Sequence, residues 1–212
     1  MKKERTCWDC LVLICNKGFD REKVFNDFLD VLLFAQLSFT DNAKRGNHDL
    51  TKLTGQYEED YLNVLARYTD SNRKEIADLF AEAYKCILSD IVKGESLDPL
   101  GELYMKEVSR GDRGQFFTPA HVCELMATLA GEIKDGETVC DPCCGSGSML
   151  LAKAKKNKNI ILFGTDIDER CAKMTTLNLV FRDLTGVVQW GNTLSQEIWK
   201  TWYITKGLVE QQ

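Results

Sequence analysis

Residues 141–150 read DPCCGSGSML. An acid and a proline lead into two glycines spaced one apart, and an apolar run begins directly behind them. Glycine lets a backbone approach a ligand more closely than a side chain would allow, and it takes backbone angles that other residues avoid. Upstream, Glu137 to Cys140 is a short strand candidate; downstream, Met149, Leu150 and Leu151 start a helix. Then come a β-rich run, NIILFGTD (159–166), a helical pattern from about Glu169 to Leu184, and a third strand candidate, VVQW (187–190). Strand, helix, strand, helix, strand predicts a parallel α/β unit. The glycine loop then sits at the carboxyl end of a strand and the amino end of a helix, where such sheets bind ligands.

The first half reads differently. Behind Asp20, a good N-cap, apolar residues recur with helical period at Val24, Phe25, Phe28, Leu29, Leu32 and Leu33. A second helix carries Tyr57, Tyr61, Leu62 and Leu65, and a third carries Ile76, Leu79, Phe80, Ala83, Ile87 and Ile91. The polar stretch TDNAKRGNHDLTKLTG (40–55) between the first two predicts a loop. The expected division is a helical packing domain over 1–95 and an α/β domain over 96–212.

Composition narrows the classes. At 44% hydrophobic and 28% charged over 212 residues, the chain has an ordinary globular make-up. No apolar run reaches membrane-spanning length, so no membrane role is expected. The start, MKKERTCWDCLVLIC, has a basic end but only a short apolar patch and no small-residue cleavage site, which predicts a packed helix and not a signal peptide. Nine cysteines without such a signal predict reduced thiols and a cytoplasmic location. Cys7 with Cys10 and Cys140 with Cys143 have zinc-ligand spacing, but both pairs sit in apolar segments and neither histidine, His48 or His121, completes a set; no metal is expected. The dense basic run of Lys153, Lys155, Lys156 and Lys158 predicts the solvated end of a helix. With a net charge of −5, the chain lacks the broad basic surface of a protein that grips DNA unaided.

What does the loop hold? The third glycine of the dinucleotide fingerprint is replaced by Leu150. Asp166 ends the next strand 21 positions after Gly145, close to the ~20-residue spacing at which a carboxylate meets ribose hydroxyls. An adenosine-containing ligand is favoured, with NAD and S-adenosylmethionine tied on these features alone.

A segment upstream breaks the tie. GQFFTP, Gly114 to Pro119, precedes a helix with Thr118 as its expected N-cap and Pro119 at its first position. GQFFTP, then a helix, then DPCCGSG, then GTDID, behind a helical half, resembles the amino-methylating DNA methyltransferases. It resembles most of all the modification subunits of type I restriction systems and their relatives, which methylate adenine at N6. The resemblance implies a Rossmann-like methyltransferase domain and S-adenosylmethionine as cofactor. Phe117, Thr118 and Pro119 would close over its methionine end, and Asp141, Pro142, Gly145, Ser146 and Gly147 would form the loop under methionine and ribose. Asp166 would take the ribose hydroxyls and Ile167 would lie against adenine. Asn192, in GNTL, falls where the family places a polar, often acidic residue near that adenine; its amide oxygen can accept from an amino group.

The family's catalytic loop is Asn or Asp followed by Pro-Pro and an aromatic. It grips the exocyclic amine and stacks on the flipped base. The chain has three prolines, Pro99, Pro119 and Pro142, and none is followed by another; no catalytic residue is assigned. The family's later strands and its target-recognition region are also expected to be missing, which makes this a short or truncated relative. It would be inactive alone, and DNA as a partner is implied by the family and not by charge. The alternative is a non-catalytic cofactor-binding or interaction module. A sheet cut short beside the DPCCGSG strand is expected to need cover from the N-terminal helices, from the segment Ser195 to Tyr203, from a partner subunit or, favoured here, from a second copy in a homo-oligomer.

Overall fold

The computed structural model describes residues 5–46, 53, 56–109 and 116–212. Helix α1 (Cys7–Cys15) starts at a capping box, in which the Thr6 hydroxyl accepts from the amide of Asp9 and the Asp9 carboxylate accepts from that of Thr6. Helix α2 (Arg21–Lys44) has Asp20 as its N-cap, accepting from Lys23 N, and buries the apolar stripe expected of it. Helices α3 (Gln56–Leu65) and α4 (Asp70–Lys93) complete the helical half, and α4 stops at Gly94 in the left-handed conformation. Phe28 of α2 stacks on Phe80 of α4 with ring centroids 5.8 Å apart.

The loop expected from residue 40 begins later. Thr40 to Lys44 are helical, and Thr40 and Asn42 are buried. The reason is tertiary: the Thr40 hydroxyl donates to the Gln36 carbonyl and accepts from the amide of Val209 at 3.0 Å, a partner 169 positions away. The rest of that stretch, 47–52 and 54–55, lies outside the described residues, as does His48.

A short helix α5 (Pro99–Leu103) runs into a π-helical turn (Tyr104–Val108), and α6 (Ala120–Leu129) follows. The N-cap of α6 is Pro119 and no side chain caps it, so Thr118 stands one residue ahead of the expected position. Then strand β1 (Thr138–Asp141), α7 (Ser148–Ala154), β2 (Ile161–Asp166), α8 (Glu169–Val180) and β3 (Thr185–Asn192) alternate as the sequence predicts. The three strands are parallel, with Cys140 opposite Phe163 and Phe163 opposite Val187. α8 ends at Val180, short of Leu184, because Asp183 turns the chain with φ +58 into β3.

The sheet does not end there. Strands β4 (Glu197–Thr205) and β5 (Leu208–Gln211) add antiparallel beyond β3, giving a five-stranded sheet in the order β1-β2-β3-β4-β5. The C-terminal segment therefore extends the far side of the sheet and does not cover β1, which among the described residues pairs with β2 alone. Alternation explains the placement: Trp202 and Ile204 point to the helix-covered face and are 0% and 1% exposed, whereas Phe163 and Tyr203 on the other face are 38% and 41% exposed. Sequential order with right-handed crossovers places α7 and α8 on one face, and α2 packs there against α8 and β5. One continuous buried cluster runs from Cys7 to Val209, across the expected boundary near residue 95.

Lys153 departs from the solvated role expected of the basic run. It is 7% exposed, and its ammonium donates to the carbonyls of Ala127 at 3.2 Å and Gly131 at 2.6 Å, closing the C-terminal end of α6. Lys155 does lie at the surface, 2.7 Å from Glu124. No described helix is long and apolar enough to cross a membrane.

Candidate functional site

The loop from β1 to α7 owes its shape to two glycines with positive φ, Gly145 at +56 and Gly147 at +91. A Cβ on Gly145 would meet the ring of Phe117 at 3.3 Å, and one on Gly147 would meet Thr175 at 3.1 Å. Both positions are thus held by conformation and by crowding. The loop is also tied to its surroundings. The Thr175 hydroxyl donates to the Gly145 carbonyl at 2.8 Å, and the amide of Cys144 donates to the carbonyl of Thr165 at 3.0 Å. Leu150, where the fingerprint would have glycine, is fully buried and packs beside Gly164.

Above this loop, at the carboxyl ends of β1, β2 and β3, lies a cleft of about 500 Å³. Of the residues singled out from the sequence, Phe117, Pro142, Gly145, Asp166, Ile167 and Asn192 line it. Thr118, Asp141 and Ser146 line a smaller recess of about 80 Å³ that shares Phe117 and Gly145 with the cleft. Pro119 and Gly147 line neither; they stand one layer back, at the start of α6 and of α7. Gly114 and Gln115 of the GQFFTP segment lie outside the described residues. A separate cavity of about 590 Å³ beside Leu97, Leu151 and Phe181 contains none of these residues and no carboxyl strand end.

Asp166 faces the loop. Its Oδ2 accepts from Gly145 N at 2.8 Å and its Oδ1 from Asp168 N at 2.9 Å. Burial pushes its carboxyl above the usual aspartate range, opposed by those two backbone hydrogen bonds. Each oxygen keeps a lone pair beyond the bond it makes. Asn192 is arranged otherwise than expected: its amide oxygen accepts from Leu194 N at 3.0 Å and Ser195 N at 3.3 Å. Both acceptor sites serve an Asx turn, so the amide NH₂ is the end left to face a ligand. Ile167 is 63% exposed at the cleft, and its carbonyl accepts from the Trp190 indole at 3.1 Å. The Ser146 hydroxyl points down and away from the cleft, onto Asp98.

Several residues escaped the sequence. Asp98 sits beneath the loop. Tyr104 packs on Phe117 with ring centroids 5.7 Å apart. Arg170 reaches Tyr104 Oη at 3.1 Å and Asp168 at 3.4 Å. Asp98 before Pro99 carries a local helix-cap signal, but its contact with the loop, and those of Tyr104 with Phe117 and Arg170, join residues distant along the chain. The thiols of Cys144 and Cys171 are pushed up, foremost by burial, which disfavours a thiolate nucleophile at either. Cys7 and Cys10 are packed in the core, and among the described residues no three His, Cys, Asp or Glu side chains are placed to hold a metal.

Fit to an adenosine-bearing ligand rests on this geometry. The backbone beneath the cleft takes positive φ at two glycines where an added Cβ would crowd Phe117 and Thr175, a carboxylate stands at the second strand end, and an exposed aliphatic side chain, Ile167, follows it.

Comparison with known proteins agrees with the motifs. The family model described as N-6 DNA Methylase matches residues 75–208. The chain is 27% identical over 154 residues to the type I restriction enzyme MjaVIII methylase subunit of Methanocaldococcus jannaschii, a match covering 59% of this chain and 26% of that protein. It is 25% identical over 165 residues to the type I restriction enzyme MpnII methylase subunit of Mycoplasma pneumoniae, covering 73% and 28%. It is 27% identical over 129 residues to the type II methyltransferase M.VspI of a Vibrio species, covering 60% and 31%. The chain thus spans between about a quarter and a third of the length of these relatives.

Proposed function

This chain belongs to the N-6 DNA methylase family, and from that premise we propose that it binds S-adenosylmethionine in the cleft at the carboxyl ends of β1, β2 and β3. The observation that carries the proposal is convergence: six residues chosen from four separated stretches of the sequence meet on one cleft. In this role the 142–147 backbone lies under the methionine and ribose, and Phe117 with Thr118 covers the methionine end. The spare lone pairs of Asp166 accept from the ribose hydroxyls, and Ile167 with Leu194 packs on the adenine. The NH₂ of Asn192, not its oxygen, serves the adenine edge. Residues 1–95 act as the packing unit and 96–212 as the cofactor unit. When bound, the cofactor supplies an electrophilic methyl group.

Use of that methyl group on adenine N6 requires a group that accepts from the exocyclic amine and stacks on the base. These 212 residues contain no Asn/Asp-Pro-Pro-aromatic sequence. We therefore expect the chain by itself to leave DNA unmethylated, and transfer to appear when a second polypeptide carrying that loop is added. Purified chain with labelled cofactor and adenine-containing DNA should give background counts. Robust labelling of adenine by the chain alone would contradict this. The second reading, a cofactor-binding module without catalysis of its own, is favoured by the same missing loop; it predicts that no added polypeptide restores transfer.

The partner surface we assign is the free side of β1. Among the described residues β1 pairs with β2 alone, so one row of its N–H and C=O groups is a template for another strand. Association through matching patches of two copies is the simplest way to occupy it. Sedimentation equilibrium at micromolar concentration should then give a mass above the 24.1 kDa of one chain. A clean monomer whose β1 amides exchange slowly would show instead that the chain covers this edge itself.

A further inference from the structure

We propose that Asp98, which belongs to none of the motifs, is a positioning residue for the glycine loop: it holds the 145–148 segment from beneath in the shape the cleft requires. Asp98 is 3% exposed and is the N-cap of α5, its Oδ1 accepting from Gly101 N at 2.8 Å. Capping a five-residue helix needs one oxygen and one amide. The structure has much more. The same Oδ1 accepts from the side-chain amide of Asn178 on α8 at 2.7 Å, and Oδ2 accepts from the hydroxyls of both Ser146 and Ser148. Four donors from three segments therefore meet one carboxylate beneath the loop.

The loop needs such a hold. Glycine permits the positive φ values at 145 and 147 but does not select them, because its backbone has the widest choice of any residue. Selection has to come from the neighbours. Ser146, between the two glycines, is fixed at both ends: its hydroxyl by Asp98, and its carbonyl by the Asn178 amide at 3.0 Å. Hydrogen bonds to a carboxylate are about twice as strong as neutral ones, and burial without a full set of donors would make the same group costly. The packing leaves no slack. A Cβ added to Gly101 would lie 2.1 Å from Asp98 Oδ2 and 2.4 Å from Ser146 Oγ. Asp98 lines neither the cleft nor its recess, so it acts on a ligand only through the loop.

The test combines ¹⁵N spectra of the loop amides with calorimetric titration of S-adenosylmethionine; only the second part rests on the cofactor assignment. Asp98→Asn keeps the size and exchanges one acceptor for a donor. In that variant the Gly145 and Gly147 resonances should shift and their amides exchange faster, while those of β4 and β5 stay in place. Cofactor affinity should fall about tenfold or more, the scale of losing a hydrogen bond to a charged group. Should Asp98→Asn fail to fold, Ser146→Ala with Ser148→Ala leaves the α5 cap intact and should give the same loop signature. Where both fold, the two changes should be non-additive, since they break one network, an outcome that general loss of stability would not produce. A folded Asp98→Asn protein with wild-type loop spectra overturns the proposal, as does full additivity. If the unaltered chain binds no S-adenosylmethionine, the cofactor assignment fails, and the loop spectra still decide the role of Asp98.

Discussion

Asp166→Ala is expected to weaken S-adenosylmethionine binding by about 1.5–3 kcal/mol, roughly 10- to 100-fold in Kd, the scale for losing hydrogen bonds to a charged group. Two losses add in this variant. The proposed bonds to the ribose hydroxyls disappear, and so do the bonds from Gly145 N and Asp168 N that tie the loop to the end of β2. Asp166→Asn separates them in part, since it keeps one acceptor oxygen for either the loop or the ligand; its loss should fall between wild type and the alanine variant. Removing the half-buried carboxyl also removes a partly desolvated charge, so thermal stability should change less than affinity. Equal Kd values for wild type and Asp166→Ala would remove Asp166 from the site.

Trp202→Ala should lower the unfolding free energy by about 3–5 kcal/mol, the usual cost of truncating a buried aromatic side chain. Trp202 is fully buried in β4 on the helix-covered face, and its indole donates to Gln211 Oε1 at 3.1 Å, tying β4 to β5. A loss of that size is a large share of the stability of a typical domain and should show as a lowered urea midpoint with an unchanged slope. The half-exposed Trp199 provides the control: Trp199→Ala should cost much less. A small effect at Trp202 would mean that the last two strands are not part of the cooperative core.

The contrast between these two residues shows what the sequence reveals and what it hides. Asp166 was legible because strand end, glycine loop and spacing are all local features of one α/β unit. The α2 stripe and its Asp20 cap were legible for the same reason. The Glu197–Thr205 segment carries a clear β signal, rich in Trp, Tyr, Ile and Thr. Its place beside β3 comes from a hairpin across residues 193–196, and β5 follows through a second tight turn at Lys206 and Gly207, both with positive φ; reading the segment as cover for β1 passes over these turns. Thr40, Lys153 and Asp98 are hidden for a different reason, distance along the chain. Each is a polar residue that local rules send to the surface or to a simple cap, and each is buried by a partner 22 to 169 positions away. Asn192 was read as a ligand-facing oxygen, yet its own backbone neighbours claim that oxygen first.

Calorimetric titration of the folded chain with S-adenosylmethionine and, side by side, with NAD tests the cofactor assignment most directly, because those two ligands stay tied on the glycine loop and Asp166 alone. S-adenosylmethionine should give a saturable heat at one molecule per chain, and NAD none. No heat with S-adenosylmethionine, or tighter binding of NAD, would contradict the assignment of this cleft.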